Sequence, residues 1–166
     1  MGAVVRGWPS SELTDVPTRN NRQYTAAQVR FYIDADLLGL AKILVQVRTD
    51  VTYPGDPGGV LHKRRRAPCP ITAPEVKDPV WIPQVAAEGW VIITRDSAIQ
   101  GHSREVGAVY EHGARMVALA GAAARTKFEQ LEVAMANWRR IEQCVTEPGP
   151  FIYVATRTTF RPFTDR

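Results

Sequence analysis

Apolar residues fall into short runs that stop at acidic or glycine-rich positions, and the spacing within the runs alternates between strand-like and helix-like. Val29-Arg30-Phe31-Tyr32-Ile33 is the first β-rich run. It ends at Asp34-Ala35-Asp36 and leads into a stretch from Leu37 to Leu44 whose apolar residues recur at helical intervals. Val51-Thr52-Tyr53 reads as a second short strand. It opens into Pro54-Gly55-Asp56-Pro57-Gly58-Gly59, which predicts a long loop without regular elements as far as residue 70. Asp78-Pro79 has the form of an N-cap followed by proline at the first helical position, and Trp81, Ile82, Val85 and Ala86 supply an apolar face. The predicted helix spans 78–88, closes on Gly89, and carries Pro83 where a 3₁₀ start or a kink is expected. Trp90-Val91-Ile92-Ile93-Thr94 is a continuous apolar strand of the kind buried on both faces, and it stops at Arg95-Asp96.

A helix over 101–112, a strand over 114–119, a helix over 122–143 and a strand over 151–155 complete the alternation. Phe128, Leu131, Met135, Trp138, Ile141 and Val145 lie three or four apart in the long helix and predict one buried stripe. Repeated strand–helix–strand order points to the α/β class, a three-layer α/β/α arrangement around a mainly parallel sheet. Residues 1–28 show neither period and read as an arm; 29–160 form the domain, and 161–166 a tail.

The length, 166 residues, suits one domain, and 45% hydrophobic with 23% charged residues excludes wholesale disorder and a disulfide-stapled miniature. Net charge is +4, with 17 Arg against 4 Lys, a balance that favours forked recognition of phosphate. Cys69 and Cys144 stand in no metal-ligand spacing and fit a reducing compartment. No run has the length of a signal peptide or a membrane span, so a soluble cytoplasmic protein is expected.

Parallel strands would bring Asp34, Asp36 and Asp96 to one rim, with Asp78 at a helix start reaching the same place. Each also has a plainer use: helix capping at Asp34 and Asp78, a turn at Asp96. Together they repel, and oxygen-only ligands suit a hard cation such as Mg²⁺ or Mn²⁺. Such a centre polarises a phosphoryl oxygen and acidifies bound water, the chemistry of phosphodiester hydrolysis. Thr94 and Ser97 would orient the ligands by hydrogen bonds. Lys63-Arg64-Arg65-Arg66 reads either as a clamp on nucleic-acid backbone or as a solvated loop, and Arg95 and Arg104 join the substrate-binding candidates. Tyr53 and Trp81 are core or base-stacking aromatics; His102 is a phosphate contact or a surface residue.

Phe31-Tyr32-Ile33-Asp34-Ala35-Asp36-Leu37-Leu38, then Asp78 heading a helix with Ala86-Ala87-Glu88-Gly89, then Trp90-Val91-Ile92-Ile93-Thr94-Arg95-Asp96, resembles the PIN-like domain family and, within it, the VapC-type toxins. The resemblance covers about 29–120. It implies a Mg²⁺- or Mn²⁺-dependent ribonuclease whose metal ligands match Asp34, Asp78 and Asp96, with Asp36 where Asn or Ser is commoner. It further implies RNA as substrate, a cognate antitoxin as partner, and homodimerisation, which is common in the family. One departure concerns a glutamate the family carries between the first two aspartates: from Asp34 to Glu75 this chain has none. Asp36 is the favoured replacement, with Glu75 the other candidate.

Two alternatives stay open. Without a competent metal site the domain would be an inactive module that binds RNA or protein. Asp34-Ala35-Asp36 also resembles the first motif of haloacid-dehalogenase-type phosphatases, where the first aspartate attacks phosphorus.

Overall fold

The computed structural model describes residues 23–95 and 103–164. Strand β2 (Phe31–Ile33) runs into a 3₁₀ turn, Ala35–Leu37, and helix α1 (Leu38–Leu44), and returns as β3 (Val51–Thr52). After helix α2 (Asp78–Ala87) come β6 (Val91–Arg95), α3 (Ser103–Glu111), β7 (Arg115–Leu119), α4 (Lys127–Gln143), β8 (Phe151–Ala155) and β9 (Phe160–Pro162). These strands form one six-stranded sheet in the order β3-β2-β6-β7-β8-β9, parallel throughout except for the last pair.

Side chains alternate across the sheet and so divide the core in two. Phe31, Ile33, Val91, Ile93, Val117 and Leu119 face one way and pack with α1 and α4 residues such as Leu40 and Trp138. Tyr32, Ile92, Met116 and Ala118 face the other way and pack with Trp81, Ile82 and Val85 of α2 and Val109 of α3. The result is the three-layer α/β/α arrangement that the alternation predicts.

Several boundaries differ from the sequence expectation. Of the predicted arm, residues 1–22 lie outside the described residues, whereas Thr25–Ala26 form a strand, β1. The predicted loop 54–70 contains a β-hairpin, β4 (Gly59–Leu61) with β5 (Arg64–Arg66), and β1 pairs in parallel with β5 to make a second, three-stranded sheet. Glycine and proline punctuation marked the way in and out of this hairpin but hid the short strands between. The predicted tail begins inside β9, which pairs antiparallel with β8, and Phe163 packs against the α2 side of the core. Pro83 is accommodated within a helix unbroken from Asp78 to Ala87, the Val80 N–H meeting the Lys77 carbonyl in the tighter 3₁₀ manner at its start. Gly89 leaves that helix at φ +73°, the left-handed position expected of it.

The predicted stripe of α4 is the largest correction. Trp138 and Ile141 of the stripe are buried and Leu131 and Val145 pack against the same core, but Phe128 and Met135 are 70% and 59% exposed, and Gln130, Val133, Ala134 and Asn137 complete the buried face. A spacing of three or four fits more than one face of a helix, and the face chosen carries two amides that backbone carbonyls satisfy. Gln130 donates to the Ala124 carbonyl at 3.3 Å, and Asn137 donates to those of Val133 and Thr156 at 2.9 and 2.6 Å. Truncating a stripe residue that is buried should therefore cost stability where truncating an exposed one does not. Ile141→Ala is expected to lose about 2–5 kcal/mol in urea denaturation, against about 0.5 kcal/mol or less for Met135→Ala.

Candidate functional site

The C-terminal edge of the parallel sheet carries the acidic groups. The register Ile33↔Ile93 of the β2–β6 pair sets Asp34 directly beside Thr94. Asp34 is 7% exposed; its Oδ1 accepts from the Ala35 N–H at 2.6 Å, which caps the 3₁₀ turn, and its Oδ2 accepts from the fully buried Thr94 hydroxyl at 2.8 Å. Capping and a place in the site are thus not alternatives here. Burial raises the Asp34 pKa to about 6, ahead of the opposing hydrogen bonds and of the fields of Asp36 and Asp78, which raise it further. Asp36 sits exposed in the 3₁₀ turn at the mouth of the site.

Asp78 is the first residue of α2 rather than its cap, a place taken by Lys77. Its carboxylate instead accepts from the Trp81 indole N–H at 2.8 Å. Trp81 is itself fixed by Tyr32, with ring centroids 5.0 Å apart, so a residue of β2 positions an acid on α2 through the indole between them. Trp81 is 2% exposed and therefore belongs to the core, where it serves the site as a support. Tyr32 keeps its proton well beyond the ordinary phenol range, through burial first and then the charges of Asp34, Cys69 and Asp78.

The residue that the sequence did not single out is Glu105 of α3. It is 3% exposed, and its Oε1 has no hydrogen-bond partner among the described residues. Its pKa rises to about 8, from burial first, then from Asp78, Asp34 and Asp36 in that order. Those causes place it in the same electrostatic neighbourhood as the three aspartates. A signal for it exists in the chain: Glu105 stands four residues before Val109 on the apolar face of α3, where a carboxylate without a function is costly. Glu75, the other glutamate considered, is exposed in an irregular segment.

Asp96 directly follows β6, and Asp96, Ser97 and His102 lie outside the described residues. Among the described residues no three acids, histidines or cysteines are already grouped tightly enough to hold a metal ion. The donor set nevertheless fits a hard divalent cation: oxygen atoms only, one buried and unpartnered, with mutual repulsion that a cation would relieve.

Beside this group lies a cleft of about 380 Å³ lined by Lys77, Asp78, Pro79, Arg104 and Glu105, so two cations flank two acids. Arg95, at the end of β6, is half-buried. Lys63, Arg64 and Arg65 are exposed on the hairpin, but Arg66 is only 6% exposed and forms a bidentate pair with Asp56, at 2.8 and 3.2 Å, that removes it from any clamp. Tyr53 is half-buried against the α1 side of the core.

A family model described as PIN like domain matches residues 30–121, more than half of the chain. The chain belongs to the PIN-like domain family. The match runs from β2 through β7 and includes Asp34, Asp36, Asp78, Asp96 and Glu105, whereas α4, β8 and β9 lie beyond it. No curated protein and no solved structure matches the chain. Membership in this family carries a nuclease-type fold, and among the described residues no helix is long and apolar enough to cross a membrane.

The raised carboxyl pKa values give this PIN-like domain a defined pH response. An acid whose pKa is higher folded than unfolded binds more protons in the folded state, so stability falls as pH rises from its unfolded to its folded value. For Asp34 that window runs from about 4 to about 6, and for Glu105 from about 4.5 to about 8. In EDTA, the melting temperature should decline between pH 5 and 8. Glu105→Gln should flatten the upper part of that decline and gain about 1–3 kcal/mol at pH 8, read by thermal melts across the range.

Proposed function

We propose that this PIN-like domain is a divalent-metal-dependent ribonuclease that hydrolyses RNA phosphodiester bonds. The observation that carries the proposal is Glu105, a buried carboxyl with an oxygen unpartnered among the described residues, set in the field of Asp34, Asp36 and Asp78. A protein gains nothing in stability from such a group, and functional sites are where such groups persist. Asp34, Asp36, Asp78 and Glu105 would hold Mg²⁺ or Mn²⁺, with Asp96 the further ligand that the family pattern suggests. Such an ion, when bound, polarises a phosphoryl oxygen and makes coordinated water a nucleophile near neutral pH.

The remaining work falls to the chain's own residues. Thr94 holds Asp34 in one rotamer by its hydrogen bond, and Trp81 does the same for Asp78. Asp34 and Glu105 must shed their protons before they can act as ligands, so activity should rise with pH through the neutral range. Lys77 and Arg104, which line the same cleft as Asp78 and Glu105, would take the phosphate oxygens of the substrate. The family also suggests a role as the toxin of a toxin–antitoxin pair, which would make a cognate antitoxin the physiological partner.

Two observations weigh against the phosphatase alternative. Asp34 is almost wholly buried with both oxygens already accepting hydrogen bonds, a poor state for an attacking nucleophile, and the chain belongs to a nuclease-type family. The metal-free binding module has one observation in its favour, the lack of a tight acidic cluster among the described residues. Calorimetric titration with Mn²⁺ separates it from the nuclease, because only the nuclease should give heat that Asp34→Asn and Glu105→Gln remove.

The deciding experiment is cleavage of a mixed RNA pool in EDTA, Mg²⁺ and Mn²⁺. Cleavage should require metal and disappear in Asp34→Asn and Glu105→Gln. Thr94→Val, which loosens Asp34 without removing a carboxylate, should lose about 10–100-fold. Full metal-dependent activity in the two acid variants would refute the proposal.

A further inference from the structure

The hairpin β4–β5 carries a run of consecutive exposed basic residues, with His62 and Lys63 at its tip and Arg64 and Arg65 on its second strand. Three features make it an aimed arm. The tip turns through two consecutive non-glycine residues at positive φ, +48° at His62 and +61° at Lys63. A two-residue hairpin turn of this kind prefers Asn-Gly, so a His-Lys pair keeps charge at the apex against backbone preference.

The base of the arm is locked. Asp56, 3% exposed, accepts from Arg66 Nε and Nη2, from the Thr52 hydroxyl at 3.0 Å and from the Gly58 N–H at 2.9 Å. Gly58 stands at φ +78°, where a Cβ would lie 2.5 Å from the Arg66 carbonyl oxygen, so the chain can pass beneath its own return strand only with glycine. The second sheet adds β1 on the far side of β5, clamping the arginine strand between two neighbours.

The lock also sets direction. Thr52 ends β3, which is parallel to β2 and pairs in register with Tyr32, two residues before Asp34. The anchor thus stands one strand away from Asp34 on the same edge of the sheet. Side chains alternate along β5, so Arg66 points inward to Asp56 while Arg65 points to the opposite face. There the Arg65 guanidinium lies over the Tyr24 ring, 5.5 Å from its centroid, and that ring is 38% exposed.

We infer that the hairpin 59–66 is a rigid grip for single-stranded RNA that extends beyond the scissile phosphodiester. Lys63 at the tip and Arg65 on the outer face would hold phosphates, Arg64 would add exposed charge from the other face, and the Tyr24–Arg65 pair would offer a stacking plane to an unpaired base. Asp56 is a positioning residue that aims the arm. The choice of RNA rests on the ribonuclease reading; the grip itself does not.

The test is fluorescence anisotropy of labelled single-stranded RNAs of 4 and 16 nucleotides in EDTA, so that cleavage plays no part. Wild-type protein should prefer the longer RNA at least tenfold, and duplex RNA should compete poorly. Replacing Lys63, Arg64 and Arg65 together by Ala should abolish the length preference and lower the slope of log affinity against log salt by about 2. Asp56→Asn removes a negative charge, so a merely electrostatic patch would bind as well or better, whereas an aimed arm binds several-fold more weakly.

Since Asp56→Asn could unfold the hairpin, the exposed triple variant stands as the independent arm of the test. Unchanged affinity and salt slope in the triple variant, or equal competition by duplex, would overturn the inference. Failure of metal-dependent cleavage with hairpin-dependent binding intact would refute the ribonuclease and leave the grip standing.

Discussion

The hydrogen bond from Thr94 to Asp34 crosses the parallel β2–β6 pair, and both groups are buried almost completely. It forms because two parallel strands end at the same level, and it holds a carboxylate at a depth where its charge is unfavourable. That cost organises the surroundings. The 3₁₀ turn after Asp34 donates an N–H to the same carboxylate, α2 brings Asp78 alongside, where it raises the proton affinity of Asp34, and α3 brings Glu105, whose own proton affinity Asp78, Asp34 and Asp36 raise. A cation at such a sheet edge, as proposed above, would relieve several unfavourable terms at once.

The positioning of the acids is indirect and depends on the core. Tyr32 faces the α2 side of the sheet while its neighbours Phe31 and Ile33 face the α4 side, an outcome of strand alternation alone. Its ring supports Trp81, and the indole N–H of Trp81 holds Asp78. On the neighbouring strand, Thr52 helps to hold Asp56, which holds Arg66 and so the base of the basic hairpin. Core and site are therefore one construction, and the hairpin is an extension of the sheet edge into solvent.

Much of the fold was legible because strands and helices leave different periods in a chain. The strand at 91–95, buried on both faces, reads as an unbroken apolar run, and the aspartates that end such runs mark the edge where parallel strands finish. Asp34 was visible for that reason, and Asp78 because it precedes a proline at a helix start. The hairpin 59–66 was not, since its strands are three residues each and its side chains are mostly charged, so no apolar alternation announces them. Arg66 looked like its neighbours for the same reason, although at the base of the hairpin it pairs with the buried Asp56. In α4, Phe128 and Met135 seemed core residues by type, and only the packing showed that two hydrogen-bonded amides occupy the face they were assigned to.

By itself the sequence determined the order and kind of the main elements, the parallel sheet, and the aspartates at strand and helix ends, because these follow from local spacing and from the short range of backbone hydrogen bonds. The tertiary structure decided which face of α4 is buried, that Arg66 is an anchor, and that Glu105 joins Asp34 and Asp78. Those are long-range outcomes: whether a polar side chain finds a partner when buried depends on residues far away in the chain, and no local pattern records which of them will arrive.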